Sequence, residues 1–437
     1  MTVNDVLDYV KENDVKFIRL AFCDILGTLK NISIMSSELE RAFEQGISFD
    51  ASAVKGFNDV TRSDLFLSPI ASTLMSLPWR PQQGKVIRFL CDIKNPDGTI
   101  YEEDGRYILK KAVKRCMDLG YTCRIGSECE FYLFKTDQNG EPTHETHDSG
   151  GYLDISPFDK GENIRREICL YLDEMGMQPE TSHHEQGPGQ NEIDFKYSDA
   201  LVAADNFLIF KWVVKTIASI NGLYASFMPK PIKDKSGNGL HINLSLLEKG
   251  HNIFAMDNTV NKSIAESFIA GVLRRIKEIT LFLNPLANSY DRFGCFEAPL
   301  YISWSHQNRS QLIRIPAAEG DFSRMELRSP DPSSNPYIAF ALLINAGLDG
   351  IEGKSALTAP MNIDIYKSTD DELKGLDSLP QSLKEAIEHA ENSVFVKNTL
   401  GKSMLNKYID IKKAENTEFQ AAQNKWDFYC AKYFKTV

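Results

Sequence analysis

The stretch Ile125 to Phe134, IGSECEFYLF, decides the fold. Its second part, Phe131-Tyr132-Leu133-Phe134, is the apolar, aromatic run of a buried strand. Two carboxylates, Glu128 and Glu130, stand at its mouth with Cys129 between them. Side chains on a strand alternate faces, so Glu128 and Glu130 share one face and Cys129 and Phe131 the other, with the two glutamate Cα atoms roughly 7 Å apart. Like charges at that range raise each other's pKa unless something positive lies between them. Taken alone, such a pair reads as a solvated strand face.

Four more segments carry the same pattern. HHEQGPGQNEIDF (His183 to Phe195) sets Glu185 and Glu192 on either side of a Gly-Pro-Gly turn. GNGLHINLSLL (Gly237 to Leu247) alternates His241, Asn243 and Ser245 against Leu240, Ile242, Leu244 and Leu246. RMELRSPDP (Arg324 to Pro332) alternates Arg324, Glu326 and Arg328 against Met325 and Leu327, and NRSQLIRIPA (Asn308 to Ala317) sets Arg309 and Arg314 around an apolar centre. Each alone is a half-exposed antiparallel strand with one wet face. Together the wet faces hold five glutamates, one histidine and four arginines. Carboxylates with an imidazole suit hard divalent cations, and arginine grips phosphate or carboxylate with paired hydrogen bonds. If the strands share one sheet, they line a single cavity for cations, a polyphosphate and a carboxylate substrate, which points to phosphoryl transfer.

The bulk properties narrow the class. A chain of 437 residues has room for two or three domains. The net charge of −11 argues against nucleic acid or an anionic membrane as the main partner. The first residues, MTVNDVLDYVKENDVKF, have no basic start or apolar centre and do not read as a signal peptide. The longest apolar runs, such as Ile338 to Leu343, fall far short of the roughly 18 residues of a membrane span. The eight cysteines are scattered without a Cys-x-x-Cys, as expected of reduced, mostly buried thiols in a cytoplasmic protein. Gly353-Lys354-Ser355 resembles the end of a phosphate loop, but the position of that motif's first glycine is Leu348, and the segment follows a helix rather than a strand.

The fold class expected is α+β. A helix over Val3 to Lys11, a strand over Phe17 to Ile25, a turn at Gly27 and a strand over Ile87 to Ile93 suggest a small mixed domain at residues 1–103. The remainder, 104–437, reads as one larger region. It opens with a helix from Gly105 that stops at Gly120. Further helices are expected at Ile164 to Met175, Ala203 to Ile220, Lys262 to Leu283, Ile338 to Gly350, Pro380 to Ala390 and, as one piece, Thr417 to Phe434.

SECEF, HHEQGPGQNEIDF, GNGLHINLSL, NSYDRF with EAPLYISW, NRSQLIRIPA and RMELRSPDPSSNPYIA occur in this order, and through them nearly the whole chain resembles a type I glutamine synthetase of the shorter bacterial and archaeal kind. The resemblance implies an N-terminal β-grasp-like domain and a catalytic domain whose curved antiparallel sheet lines the site. It implies two or more divalent cations, Mg²⁺ or Mn²⁺, one held by Glu130, Glu185 and Glu192 and the other by Glu128, His241 and Glu326. Arg292, Arg328 and the backbone at Gly237 would hold the substrate, and Arg309 would neutralise the moving phosphoryl group. Tyr197, Asn243, Ser245, Arg314 and Arg324 match nucleotide-contacting positions. Glu297 matches a flap carboxylate, and Asp50 the residue that binds ammonium and takes its proton. The implied reaction is phosphorylation of the γ-carboxylate of L-glutamate by ATP, then displacement of phosphate by ammonia. The implied assembly is a dodecamer of two stacked rings, in which Asp50 acts across an interface.

The chain departs from the family pattern at the flap and the ammonium site. Arg292-Phe293-Gly294-Cys295-Phe296-Glu297 is one residue short and lacks a Pro-Gly, and Asp50-Ala51-Ser52-Ala53 replaces Asp-Gly-Ser-Ser. A γ-glutamyl ligase using an organic amine (polyamine, ethanolamine or methylamine) is the alternative. A catalytically inactive structural or regulatory relative is a further one, against which stands the full set of six ligand positions.

Overall fold

The computed structural model describes residues 1–80 and 84–437. Two sheets organise the chain. The first runs in the order Leu29–Met35, Val15–Cys23, Lys85–Lys94, Asp64–Pro69, Ile47–Asp50. Val15–Cys23 and Lys85–Lys94 are parallel, and the other neighbours on this path are antiparallel. The helix Val3–Glu12, opened by a reciprocal Thr2–Asp5 cap, lays Val6 and Val10 on the core of this sheet. Phe22, Phe49 and Phe57 form an aromatic cluster at its centre.

The second sheet is built round the long strand Tyr121–Thr136, which contains the IGSECEFYLF run. Its main path is Trp304–His306, Ile313–Ile315, Met325–Leu327, Leu240–Glu248, Tyr121–Thr136, Gln190–Phe195 and Pro179–His184. All five polar-faced segments therefore contribute to one sheet, as their patterning implied. The apolar face packs on helices. Phe131 meets Phe210 and Phe227, and Phe210 meets Phe195. The helix Pro336–Glu352 is apolar on nearly every side because it is buried on nearly every side.

Most expected helices form within a few residues of their expected ends. The single C-terminal helix over Thr417 to Phe434 does not. A helix over Lys402–Ala421 stops at extended Ala422, and Asn424 caps a new short helix by accepting from the backbone N–H groups of Trp426 and Asp427. Val394–Leu400 and Lys402–Ala421, which the sequence reading did not anticipate, are separated by Gly401 at φ 83°. That left-handed residue ends one helix and starts the next.

Two contacts tie the first sheet to the helices of the larger region. Arg106, whose guanidinium forks onto buried Asp205 at 2.9 and 2.8 Å beside Tyr337 Oη, which donates to the same carboxylate at 2.7 Å, reaches Asp92 of the first sheet through Nη1 at 3.4 Å. Asn335 donates through Nδ2 to the carbonyls of Asp24 and Ile25 and accepts from Tyr337 N–H. Gly27 lies against Asn335 at φ 88°, where a Cβ would sit 2.9 Å from the Asn335 Cα. Gly27→Ala is expected to cost about 1–3 kcal/mol through strain and clash, read as a lower urea midpoint.

Burial raises the carboxyl of Asp104, the cap of the Gly105–Asp118 helix, to about 7. Between pH 4 and 7 the folded chain holds a proton that the unfolded chain has released, so this group lowers stability as pH rises. Asp104→Asn is expected to flatten that slope in melting temperature against pH while keeping the cap bond from Arg106 N–H.

Candidate active site

The sheet registers set the polar face in rows. Glu192 lies opposite Glu130 on one side and His183 on the other. Asp194 lies opposite Glu128, which lies opposite His241. Asn243 lies opposite Glu326, which lies opposite Arg314. The acids that strand alternation placed on one face thus become neighbours across strands as well as along them.

These rows floor a cavity of about 510 Å³. Of the candidate residues, Glu128, Glu130, Glu185, Glu192, Gly237, His241, Arg292, Glu297, Arg309, Arg314, Arg324 and Arg328 line it. Glu326 is fully buried beneath, accepting from Arg314 Nε at 2.6 Å and Arg328 Nη1 at 2.7 Å. Asn243 links the wall by donating to Glu128 at 2.8 Å and accepting from Arg324 Nε at 2.8 Å. A side chain on Gly237 would collide with the Pro229 carbonyl and the Arg292 stem, so only glycine lets this loop pass over Arg292. Tyr197 lies outside this cavity and lines a separate one of about 300 Å³ with Arg124 and Asn206. Ser245 is buried opposite Arg124. Asp50 stands on the first sheet, exposed, accepting from Ser52 N–H and Oγ–H, which holds its carboxyl below the usual range.

Three acidic groups of this cavity could hold cations. Glu128, His241 and Glu326 offer ligand atoms within 4.8 Å of one another. Glu130, Glu185 and Glu192 are linked through Glu192 at that spacing. Glu192 belongs to two groups, one with Glu130 and His241, the other with Glu185 and His183. The reason lies in the register, since Glu192 is the middle of its row. His183, Tyr152, Gln186, Ser236 and Asp194 also line the cavity and were not singled out beforehand. His183 was within reach of the same alternation, being two residues before Glu185. Tyr152 arrives on a loop, which no periodicity reports.

The electrostatics fit a cationic guest. Burial raises Glu192 well above the usual carboxylate range, and the charges of Asp194, Glu130, Glu128 and Glu185 raise it further. Burial and the Glu185 charge also raise Glu130. Burial pushes Glu128 up as well, but His241, Asn243 and Arg314 outweigh it and hold that carboxyl at about 2. Clustered acids of this kind, short of positive partners on one side, suit oxygen-seeking divalent ions.

The flap closes one wall. Gly294 N–H donates to the Ala298 carbonyl at 2.9 Å, and Ala298 N–H to the Cys295 carbonyl at 3.0 Å. Within that tight loop Phe296 and Glu297 both take left-handed backbone, at φ 47° and 65°. This conformation costs about 1–3 kcal/mol per non-glycine residue. It brings the Glu297 carboxylate to 3.6 Å from Arg328 Nη2.

Comparison with known proteins agrees with the geometry. Residues 14–96 match the model of the glutamine synthetase β-grasp domain, and residues 102–431 that of the glutamine synthetase catalytic domain. The chain is 48% identical to the glutamine synthetase of Clostridium saccharobutylicum over 99% of both chains. It is 47% identical to that of Methanosarcina mazei over 98% of this chain and 96% of the relative. Among solved structures, GmaS in complex with ADP superposes with a TM-score of 0.88 at 28% identity, covering 97% of this chain and 98% of that one. The cryoEM structure of Plasmodium falciparum glutamine synthetase superposes at 0.85 and 26%, covering 98% of each.

Proposed function

The chain belongs to the glutamine synthetase family, and on that premise we propose a division of labour among the residues of its cavity. The reaction is ATP-dependent synthesis of glutamine from glutamate and ammonia, and an organic amine as acceptor is not favoured. ATP and divalent metal are used by the family as a whole. The observation that carries the assignment is one cavity holding four glutamates and two histidines on its floor and five arginines around them.

Glu128, His241 and Glu326 would hold one cation, and Glu130, Glu185 and Glu192 another, with His183 Nε2 hydrogen-bonded to Glu185 at 3.2 Å and 3.3 Å from Glu192. Mg²⁺ or Mn²⁺ would fit, since carboxylates with one imidazole accept either. When bound, the cations neutralise phosphate charge and draw the nucleotide onto the floor. Arg292, Arg328 and Gly237 would seat glutamate, and Arg309, exposed and free of any ion pair among the described residues, would meet the phosphoryl group. Arg314, Arg324, Asn243, Ser245 and Tyr197 would contact the nucleotide. A carboxylate is a poor acylating agent and an acyl phosphate a good one, so the flap carrying Glu297 has to exclude water until the amine attacks. Asp50 of a neighbouring copy would take the ammonium proton, as expected for an assembly of twelve subunits in the cytoplasm. We also propose the division into domains 1–103 and 104–437, which the two separate hydrophobic cores support.

The test is phosphate release and γ-glutamyl amide formation with ATP, Mg²⁺ and L-glutamate, comparing ammonium with methylamine, ethanolamine, putrescine and spermidine. Turnover with ammonium alone is expected. A preference for any organic amine would reassign the acceptor. Silence with all of them in a folded protein would sink the catalytic roles.

A further inference from the structure

The ladder that carries the acids continues one step past them. Following Asp194 opposite Glu128 and Glu192 opposite Glu130, the next same-face pair is Gln190 opposite Tyr132. Neither is acidic and both are fully buried. Their polar ends meet the loop Ser236-Gly237-Asn238. Tyr132 Oη donates to the Ser236 carbonyl at 2.7 Å. Gln190 Nε2 faces the Gly237 carbonyl at 3.1 Å, Asn238 Oδ1 at 3.3 Å and Glu130 Oε2 at 3.0 Å. The amide orientation is set by its other end, where Oε1 accepts from Gly187 N–H at 2.9 Å. Glu130 Oε2 also accepts from Gly239 N–H at 2.8 Å. Both bonds fall on Oε2, which leaves Oε1 of Glu130 without a protein donor among the described residues.

We propose that Gln190 and Tyr132 are positioning residues, a buried seat that fixes the Ser236–Asn238 loop and ties it, through the Gln190 amide, to the carboxylate of Glu130. The inference rests on the roles proposed above for Glu130 and Gly237. One amide then serves two sites. It aims a metal-facing carboxylate by occupying its other oxygen, and it sets the height of the loop that passes over Arg292. Disturbing it moves both sites together, whereas disturbing the Tyr132 hydroxyl moves the loop alone. Second-layer bonds of this kind commonly change metal affinity about 10–100-fold when lost.

The experiment uses the full chain with Tyr132→Phe, Gln190→Met and the reference variant Glu130→Gln. Melting curves, glutamate and ATP KM values, and the Mn²⁺ dissociation constant by electron paramagnetic resonance without substrates are measured for each. Tyr132→Phe is expected to raise the glutamate KM about fivefold, the effect of one lost neutral hydrogen bond, with ATP KM and Mn²⁺ binding unchanged. Gln190→Met, similar in volume, is expected to weaken Mn²⁺ binding about tenfold and raise the glutamate KM with it. Parent constants in both variants, or a lowered melting temperature alone, would overturn the proposal. If Gln190→Met fails to fold, Tyr132→Phe decides the loop half by the same criterion. If Glu130→Gln leaves Mn²⁺ binding intact, the metal assignment itself is at fault rather than the coupling.

Discussion

Glu326→Ala is expected to reduce glutamine formation by about a thousandfold or more and to destabilise the protein by about 3–5 kcal/mol. The two losses share a cause. Glu326 is fully buried, and its two oxygens accept from Arg314 and Arg328. Arg328 is itself buried, with Nε already lacking a hydrogen-bond partner. Deleting the carboxylate leaves two guanidinium groups in a low-dielectric floor without their nearest counter-charge, Glu297 standing farther off at 3.6 Å from Arg328, and removes one of three ligand atoms from the Glu128 group. Urea unfolding gives the first number and coupled phosphate and glutamine assays the second. Activity within tenfold of the parent would remove Glu326 from the site. Glu326→Gln separates the effects, because it keeps acceptor oxygen toward one arginine and loses the charge.

Glu192→Gln carries the opposite sign for stability. Its carboxyl is buried and surrounded by the charges of Asp194, Glu130, Glu128 and Glu185. Without cations that cluster opposes folding, and neutralising its central member is expected to stabilise the metal-free protein by about 1 kcal/mol or more. The same change removes an anionic ligand atom from two of the candidate groups. The parent should therefore melt higher on adding Mn²⁺, by mass action on the folded state, while the variant should begin higher, gain little and turn over about a thousandfold more slowly. Melting temperatures in chelator and in excess Mn²⁺ decide it. A variant that is less stable in chelator, or that keeps the parent's metal-dependent gain, would show that the acids are held by something other than a cation.

Strand alternation made much of the floor legible. Glu128 and Glu130 had to share a face, as did His241, Asn243 and Ser245, because a side chain on an extended backbone has no other choice. The apolar partners of those residues announced which face was buried, and the residue types on the wet face announced cations and anions. Alternation alone did not divide the ligands between cations. The resemblance, not the strand pattern, assigned Glu130, Glu185 and Glu192 to one of them, and the register sets Glu192 between His183 and Glu130. The helix expected over Thr417 to Phe434 failed for a related reason. Its apolar spacing was helical, but the competing cap at Asn424 is a local bond that periodicity does not weigh.

By itself, then, the order of residues determined that the polar-faced segments are strands, which of their faces is charged and that the charges suit phosphoryl transfer, since each follows from chemistry within a few positions. Only the tertiary structure decided which strands lie side by side, that Tyr152 and the strained flap close the cavity, and that Asp50 lies outside the cavity lining of its own chain. Those depend on contacts between residues tens to hundreds of positions apart, such as Gln190 with Gly237 or Asn335 with Asp24. Their geometry is set by strand register and core packing, which no local pattern encodes.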